Sequence, residues 1–491
     1  MEKIVSDVIK IIKGSKNEIE MEKVLWTFLL NTIIAMIALA FERIDDELFA
    51  SLKAEGYKVQ RKDARTIQGI FGPLTYERRL VKKEGEKAFY PLDRQLGFER
   101  YRRYTPYLEF CVVKLAARSV YRVVEESIKI LSPVTISHQK VALLVRDAGR
   151  RYGEYEETML TVDAKPEENL VKPDTLYIEG DGLYISRVNG KDRPLETTES
   201  EGKPRKKEYN ELHRIQLAVG VEQEGNGKRH RLVGKREFVD TDLAKVQMQV
   251  ERFLESYYDL QKTVVICNSD NGPGYVRSSF EKMAGECGQF EFFVDAYHVN
   301  QKVKTRLSFA PKGLQDDVLR VLRQFDRAKV EAYLNTAESL AETKEERHQV
   351  FRLRGYLKRN WDMLKPHSMR KGLEKSVRCY GTCESNHRRY SYRMKKQGRR
   401  WGKEGCLAMA KVLAGLQNEE LEAALSSKFK PVKAPKSAEL RKALRSALKK
   451  SPMVPHVGIR NGGIGGYTAS STAIGLSLIH ISEPTRQEAI S

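Results

Sequence analysis

The spacing of apolar and polar positions along this chain changes several times, and each change marks an element. Residues 1–60 carry apolar positions at helical spacing between charged ends and predict helices. Within them, Val24 to Phe41 is apolar almost throughout, interrupted by Thr27, Asn31 and Thr32 and flanked by charges. Its length suits a membrane span, but the polar interruptions favour a buried helix of an N-terminal bundle or an oligomer interface. From Thr66 to Phe98 the period shortens. RTIQGIFGPLTYERRLVKK and EKAFYPLDRQLGF predict a twisted hairpin, with Gly72-Pro73 and Glu84-Gly85 as turn signals. Helical spacing returns at Thr105 in TPYLEFCVVKLAARSV, YRVVEESIKIL and TISHQKVALLVRDAGRR, the last capped by Thr135 or Ser137. The short turn at Ser132-Pro133 suits a helix-turn-helix. Ser137, His138, Gln139 and Lys140 would then open the recognition helix, where base edges are read. An ordinary three-helix packing unit has the same pattern.

Residues 162–173 are polar and Pro-bearing, a linker, and strand and helix signals then alternate. TLYIEGD predicts a strand ending at Asp181, and residues 190–208 a polar loop. ELHRIQLAVGVE and KRHRLVGKREFV predict two strands joined by EQEGNG. Asp242 to Leu260 is an amphipathic helix, TVVICNSD a strand ending at Asp270, Tyr275 to Ala284 a helix, and FEFFVDAYH a fifth strand. That is the element order of a ribonuclease-H-like α/β fold, in which the first and fourth strands are neighbours and bring Asp181 and Asp270 together. Residues 300–375 read as an all-α insertion holding Trp361. The expected organisation is a helical region (1–62), a hairpin region (63–104) and a helix-turn-helix region (105–160). A core in two parts follows (173–299 and 376–425), split by the insertion, and then a basic tail (426–475). LSLIHISEPTRQEAIS at the end differs in composition and resembles the translated read-through of a sequencing adapter; residues 476–491 are expected to be non-native and carry no function.

Charge changes the picture. Among 491 residues, 87 Lys and Arg face 66 Asp and Glu, a formal net charge of +21. That excess favours a polyanionic partner, with nucleic acid the leading candidate. Asn386 to Lys403 holds eight basic residues and no acidic one. Arg388, Arg389, Arg393, Lys395, Lys396, Arg399 and Arg400 would bind phosphates, with Tyr390, Tyr392 and Trp401 stacking on bases. Lys428 to Lys450 is a second basic tract. Six scattered cysteines fit a reducing, cytoplasmic and nucleoid-associated setting. Cys379, Cys383 and His387 lack a fourth zinc ligand at good spacing. No Walker-type loop occurs, and the glycines of Arg460 to Tyr467 follow no strand, so no nucleotide cofactor is expected.

Asp181, Asp270 and Glu384 form a set of hard oxygen ligands suited to two Mg²⁺ or Mn²⁺ ions. Such a pair cuts and joins phosphodiesters. Asp295 competes with Asp270 as second ligand, and His298 would bind a phosphate or orient a metal-bound water. Asp295 as a helix cap and His298 as a packed side chain is the structural alternative.

SPVTISHQKV, LYIEGD, the Asp270 segment, FVDAYHVNQKV with its Asp295-x-x-His298 element, and CESNHRRYSYRMKKQGRRWGKEG with Trp401-Gly402 together resemble the Lre-type insertion-sequence transposases. These are DDE enzymes related to the Mutator-like group. The resemblance runs from the N-terminal helices to about Leu416. It implies cut-and-join transposition on double-stranded DNA (element ends and target), a triad on Asp181, Asp270 and Glu384, and a homo-oligomer that handles both element ends; the polar interruptions of Val24 to Phe41 speak for no membrane. The second acidic motif departs from the usual Gly-Asp-Gly: here it is Ser269-Asp270-Asn271-Gly272, and a shifted turn there would disturb the metal. A transposase-derived DNA-binding protein without catalysis and a metal-dependent nuclease on the same fold are the alternatives.

Overall fold

The computed structural model describes residues 2–160, 170–188, 208–223, 230–374, 378–396 and 399–426, without the side chains of Gln223, His230, Glu384 and Ser385. Most of the expected linker, nearly all of the polar loop, and everything expected after residue 426 lie outside them.

The N-terminal region is α1 (Glu2–Gly14) and a 37-residue α2 (Glu18–Ala54), N-capped by Asn17. Strands β1 (Lys58–Gly69) and β2 (Gly72–Lys82) form an antiparallel hairpin. Both strands fall within residues 58–82. The expected second arm is instead a short helix, α3 (Pro91–Leu96), because Pro91 at its first turn lacks the N–H a strand would use. One face of α2 (Ile34, Ile37, Ala38, Phe41, Ile44) covers Ile67, Leu74, Tyr76 and Leu92 of this unit. The expectation of a buried α2 fails beyond that face, since only Leu30 and Asp45 are buried.

Three helices follow, α4 (Pro106–Ala116), α5 (Tyr121–Leu131) and α6 (His138–Leu160), at the expected places. The sheet elements are β3 (Thr175–Ser186), β4 (Tyr209–Ala218), β5 (Gly220–Gln223), β6 (His230–Val233), β7 (Arg236–Asp240), β8 (Val264–Ser269) and β9 (Gln289–Val294). Helix α7 (Leu243–Tyr257), with Asp242 as N-cap, precedes β8, and α8 (Arg277–Ala284) precedes β9. The main sheet has the order β7-β4-β3-β8-β9. Its first three strands are antiparallel, and β8 and β9 run parallel to β3. Two expected strands are split: β5 and β6 peel off as a separate ribbon, and Gly234, at φ 61°, allows the sharp break before β7. The insertion is α9 (Ala296–Arg306), α10 (Lys312–Gln324), α11 (Arg327–Leu340) and α12 (Lys344–Asn360), followed by two 3₁₀ turns. It shares one core with the sheet face built from Leu176, Ile178, Val265, Cys267 and Phe292. The other face receives α13 (Cys383–Met394) and α14 (Lys403–Gln417), and α15 (Leu421–Leu425) closes the described chain.

Helix α14 lies against α6 so closely that a Cβ on Gly149 would stand 2.4 Å from the Ala408 carbonyl oxygen. Backbone cannot yield there as a flexible side chain would, so Gly149→Ala is expected to cost about 1–3 kcal/mol in urea denaturation. An unchanged midpoint would mean that the two helices are not in this contact.

Candidate active site

The sheet register assembles the site. Glu179 pairs with Asn268 across β3 and β8, and Ser269 with Val294 across β8 and β9. Continuing each register by one or two residues puts Asp181, Asp270 and Asp295 at one level on three neighbouring strands. Asp181 does not end its strand as expected. β3 continues to Ser186, because β4 pairs with it along that whole length.

Asp181 lies between two imidazoles and a backbone N–H. Its Oδ1 accepts from the Gly182 N–H at 2.7 Å, and its Oδ2 lies 3.5 Å from His387 Nδ1 and 3.9 Å from His298 Nε2. Burial alone would raise its pKa, but His298, His387 and the Gly182 N–H outweigh it and hold the carboxyl below its ordinary value. His298 is shifted up, chiefly by Asp181, with Asp295 and Asp270 adding to it. Its buried Nε2 has no hydrogen-bond partner in the protein. His387 is held down to about 4 by burial, reinforced by the Arg214 charge. Its ring is therefore neutral at neutral pH.

Asp295 caps α9 through the Tyr297 N–H at 2.9 Å, as the structural alternative expected, and still lies level with Asp270. Burial raises its pKa, and the Asp181 charge adds to the shift. The Asp270 Oδ1 accepts from the Gly272 N–H at 2.8 Å. The departure from Gly-Asp-Gly does not break this turn. Asn271 takes the left-handed conformation at φ 53°, one that asparagine tolerates. Its amide bonds to Asn360 at 2.7 Å, at the end of α12, while Ser269 Oγ donates to the Tyr275 carbonyl at 2.7 Å. The helical insertion is thereby tied to the Asp270 turn. Lys302 of α9 also lies within the field of Asp270, with its amine 4.2 Å from the Tyr356 ring centroid.

Glu384 lies on α13, but its side chain is outside the described residues. What fixes α13 is clear. Glu179, two residues before Asp181 on the same strand face, is fully buried and accepts the N–H groups of Thr382 and Cys383 at 2.8 Å each. A carboxylate at a helix N-terminus satisfies orphan donors and meets the positive end of the dipole. Beneath the helix, Glu179, Gln216 and Glu237 form one row across β3, β4 and β7. Arg214 bonds to Gln216 at 2.6 Å, to Glu237 at 3.4 Å and to the Cys383 carbonyl at 3.1 Å, and the Tyr390 hydroxyl donates to Glu237 at 2.9 Å. The expectations missed this buried layer. Its one signal in the sequence is the alternation of Arg214 and Gln216 along the strand. On the opposite side, the Tyr275 hydroxyl donates to the Asp181 carbonyl at 3.0 Å and lies 3.0 Å from His213 Nδ1.

Among the described residues, no three His, Cys, Asp or Glu side chains converge as a ready metal cage, and Cys379, Cys383 and His387 make no zinc site. The chemistry of the donor set nonetheless suits a hard divalent cation. Asp270 and Asp295 each use one oxygen on a backbone N–H, and an orphaned imidazole nitrogen stands beside Asp181.

The basic surface is corrected in one respect. Arg393 is buried, donates to the Ala116 carbonyl at 2.6 Å and sits between the rings of Tyr121 and Trp401, so it cannot serve as a phosphate ligand. Tyr390 and Trp401 are core residues as well, which leaves Tyr392 as the exposed ring. Arg388, Arg389, Lys395, Lys396 and Arg400 are exposed, and Arg399 is half-buried, bonded to the Arg393 carbonyl at 2.6 Å. At the start of α6, Ser137 and Gln139 are exposed, Lys140 lies 5.3 Å from the Tyr104 ring centroid, and His138 is tied to Glu125 at 2.7 Å.

This chain is thus a mixed α/β protein with a carboxylate and imidazole cluster on a mixed sheet. The profile of UPF0236, described as an uncharacterised protein family, matches residues 15–424, and the chain belongs to that family. A UPF0236 protein from the vanSb 3′ region of Streptococcus gallolyticus is 31% identical over 456 residues, covering 92% of this chain and 94% of the relative. A UPF0236 protein of Caldanaerobacter subterraneus subsp. tengcongensis is 24% identical over 381 residues, covering 76% and 74%. Among solved structures, a Drosophila P element transposase strand transfer complex matches at 9% identity and TM-score 0.23, covering 72% of this chain and 94% of that one. A pre-cleavage Mos1 transpososome matches at 12% identity and TM-score 0.12, covering 55% and 81%.

Proposed function

We propose that this protein is a DDE transposase that binds the ends of an insertion element, cuts them and joins the 3′-ends to target DNA. The observation that carries this is the common level of Asp181, Asp270 and Asp295 on neighbouring parallel strands, with the Glu384 helix capped by Glu179. The order β7-β4-β3-β8-β9 supports a ribonuclease-H-like core with an all-α insertion. Asp181, Asp270 and Glu384 would hold two Mg²⁺ or Mn²⁺ ions, with Asp295 the rival of Asp270. Bound there, such ions activate a water or a 3′-hydroxyl and offset charge on the leaving oxygen. The protein's own part is to keep Asp181 ionised, to offer the His298 ring to a phosphate oxygen, and to hold Lys302 within the field of Asp270. A DNA-binding protein without catalysis is the second reading, supported by the exposed basic side chains of Arg388, Arg389, Lys395 and Lys396.

The test is joining of a labelled 3′-end from DNA flanking the protein's own gene to a supercoiled plasmid. Joined product supports a transposase, nicks without joining support a nuclease, and binding without either supports the second reading. DNA binding itself has a separate check. Arg388 and Lys395 are exposed, so reversing both to Glu should weaken binding roughly tenfold or more and lower the slope of log K against log salt by about 2. An unchanged slope would remove α13 from the interface.

A further inference from the structure

Helix α2 has a second apolar face beside the one that covers the hairpin. Ile19, Trp26 and Ile33 recur every seven residues, with Leu29 and Met36 interleaved and Ala40 continuing the row. These five large side chains are 37% to 67% exposed. The row is a heptad seam, a and d positions at the 3.5-residue spacing that two helices need to bury a stripe against each other. It runs about 26 Å along the helix, and monomers rarely leave so continuous an apolar row in water.

We propose that this face pairs with the same face of a second copy of the chain, as an antiparallel two-helix seam around a two-fold axis. Charge selects the direction. The polar d positions are Glu22 near one end and Arg43 near the other. Parallel pairing would set Glu22 against Glu22 and Arg43 against Arg43 in the seam, whereas antiparallel pairing brings Glu22 of each copy to the end that holds Arg43 of the other. In that arrangement Trp26 packs against Met36 of the second copy, and Leu29 against its Ile33. A two-fold seam is self-complementary, so one surface suffices. Helix α1, none of whose residues is buried, lies beside α2 with Ile4, Val5, Ile9 and Ile12 exposed, ready to flank the same seam.

The rival occupant is a membrane, since α2 is long and apolar enough to cross one. Against it, Ile34, Ile37, Ala38 and Phe41 from the same apolar stretch already hold the hairpin, and Asp45 binds Arg79 at 2.8 Å. Insertion would strip away both.

The test is light scattering of the full chain in detergent-free buffer, beside Leu29→Glu/Ile33→Glu. The wild type should have twice the 56.3 kDa chain mass, and the variant should dissociate at least about 100-fold more readily while keeping the far-UV circular dichroism of the wild type, because both side chains face away from the hairpin core. Oxidising a mixture of Trp26→Cys and Met36→Cys chains should give a mixed cross-linked dimer. A monomeric wild type, a variant that stays dimeric, cross-linking of Met36→Cys only to itself, or flotation of the wild type with lipid vesicles would each overturn the proposal.

Discussion

An Asp181→Asn chain is expected to bind its DNA as tightly as the wild type, or slightly more tightly, and to cut it at least about 10³-fold more slowly. The amide keeps the shape of the carboxylate and can still accept the Gly182 N–H, so β3 and its neighbours stay paired. What disappears is the charge that His298 and His387 surround, and with it one of the carboxylates that would hold the cations. Removing a negative charge beside phosphate favours binding, which sets the sign of the first effect. Gel shifts and nicking kinetics on one labelled duplex separate the two quantities. Equal loss of binding and cutting would make Asp181 a structural residue.

The largest effect on stability is expected from Arg214→Ala. Arg214 is 1% exposed and lies between Gln216, Glu237 and the Cys383 carbonyl. Taking away one partner of a buried charge network leaves the other uncompensated, at a cost of about 3–5 kcal/mol. Glu237 would lose its main cation, retaining the Tyr390 hydroxyl and a distant Arg389 at 3.8 Å. Because the network supports the first turns of α13, cutting should fall together with stability. Arg388→Ala on the same helix should stay within about 0.5 kcal/mol, as exposed positions do. Urea denaturation checks both, and a loss below about 1 kcal/mol at Arg214 would mean that the layer contributes little.

The apolar runs locate the strands that lead to Asp181 and Asp270, because each strand of a buried sheet carries its own apolar signature; that the two are neighbours, as β3 and β8 are, follows only once the element order is matched to a ribonuclease-H-like topology. The sequence ends the strand at Asp181 because Asp181-Gly182 looks like a turn; pairing with β4 overrides that local preference. The layer of Glu179, Arg214, Gln216 and Glu237 was illegible for a related reason. Polar alternation on a strand ordinarily means solvent, and here α13 covers it. The same helix concealed the roles of Arg393, Tyr390 and Trp401. Both of its faces are basic and aromatic, so periodicity alone could not say which one turns inward. Asn271 shows the reverse case, a departure from the expected glycine whose backbone keeps the glycine-like conformation.

The most direct measurement is nicking of end-labelled DNA from the flanks of the protein's own gene, with Mg²⁺, Mn²⁺ or EDTA. The wild type would be set beside Asp181→Asn, Asp270→Asn, Asp295→Asn and Glu384→Gln. The account predicts nicking that requires the metal and disappears at Asp181, Asp270 and Glu384, while Asp295→Asn shows whether the third carboxylate at that level shares the role. Nicking that persists in EDTA, or that survives Asp181→Asn, would contradict it.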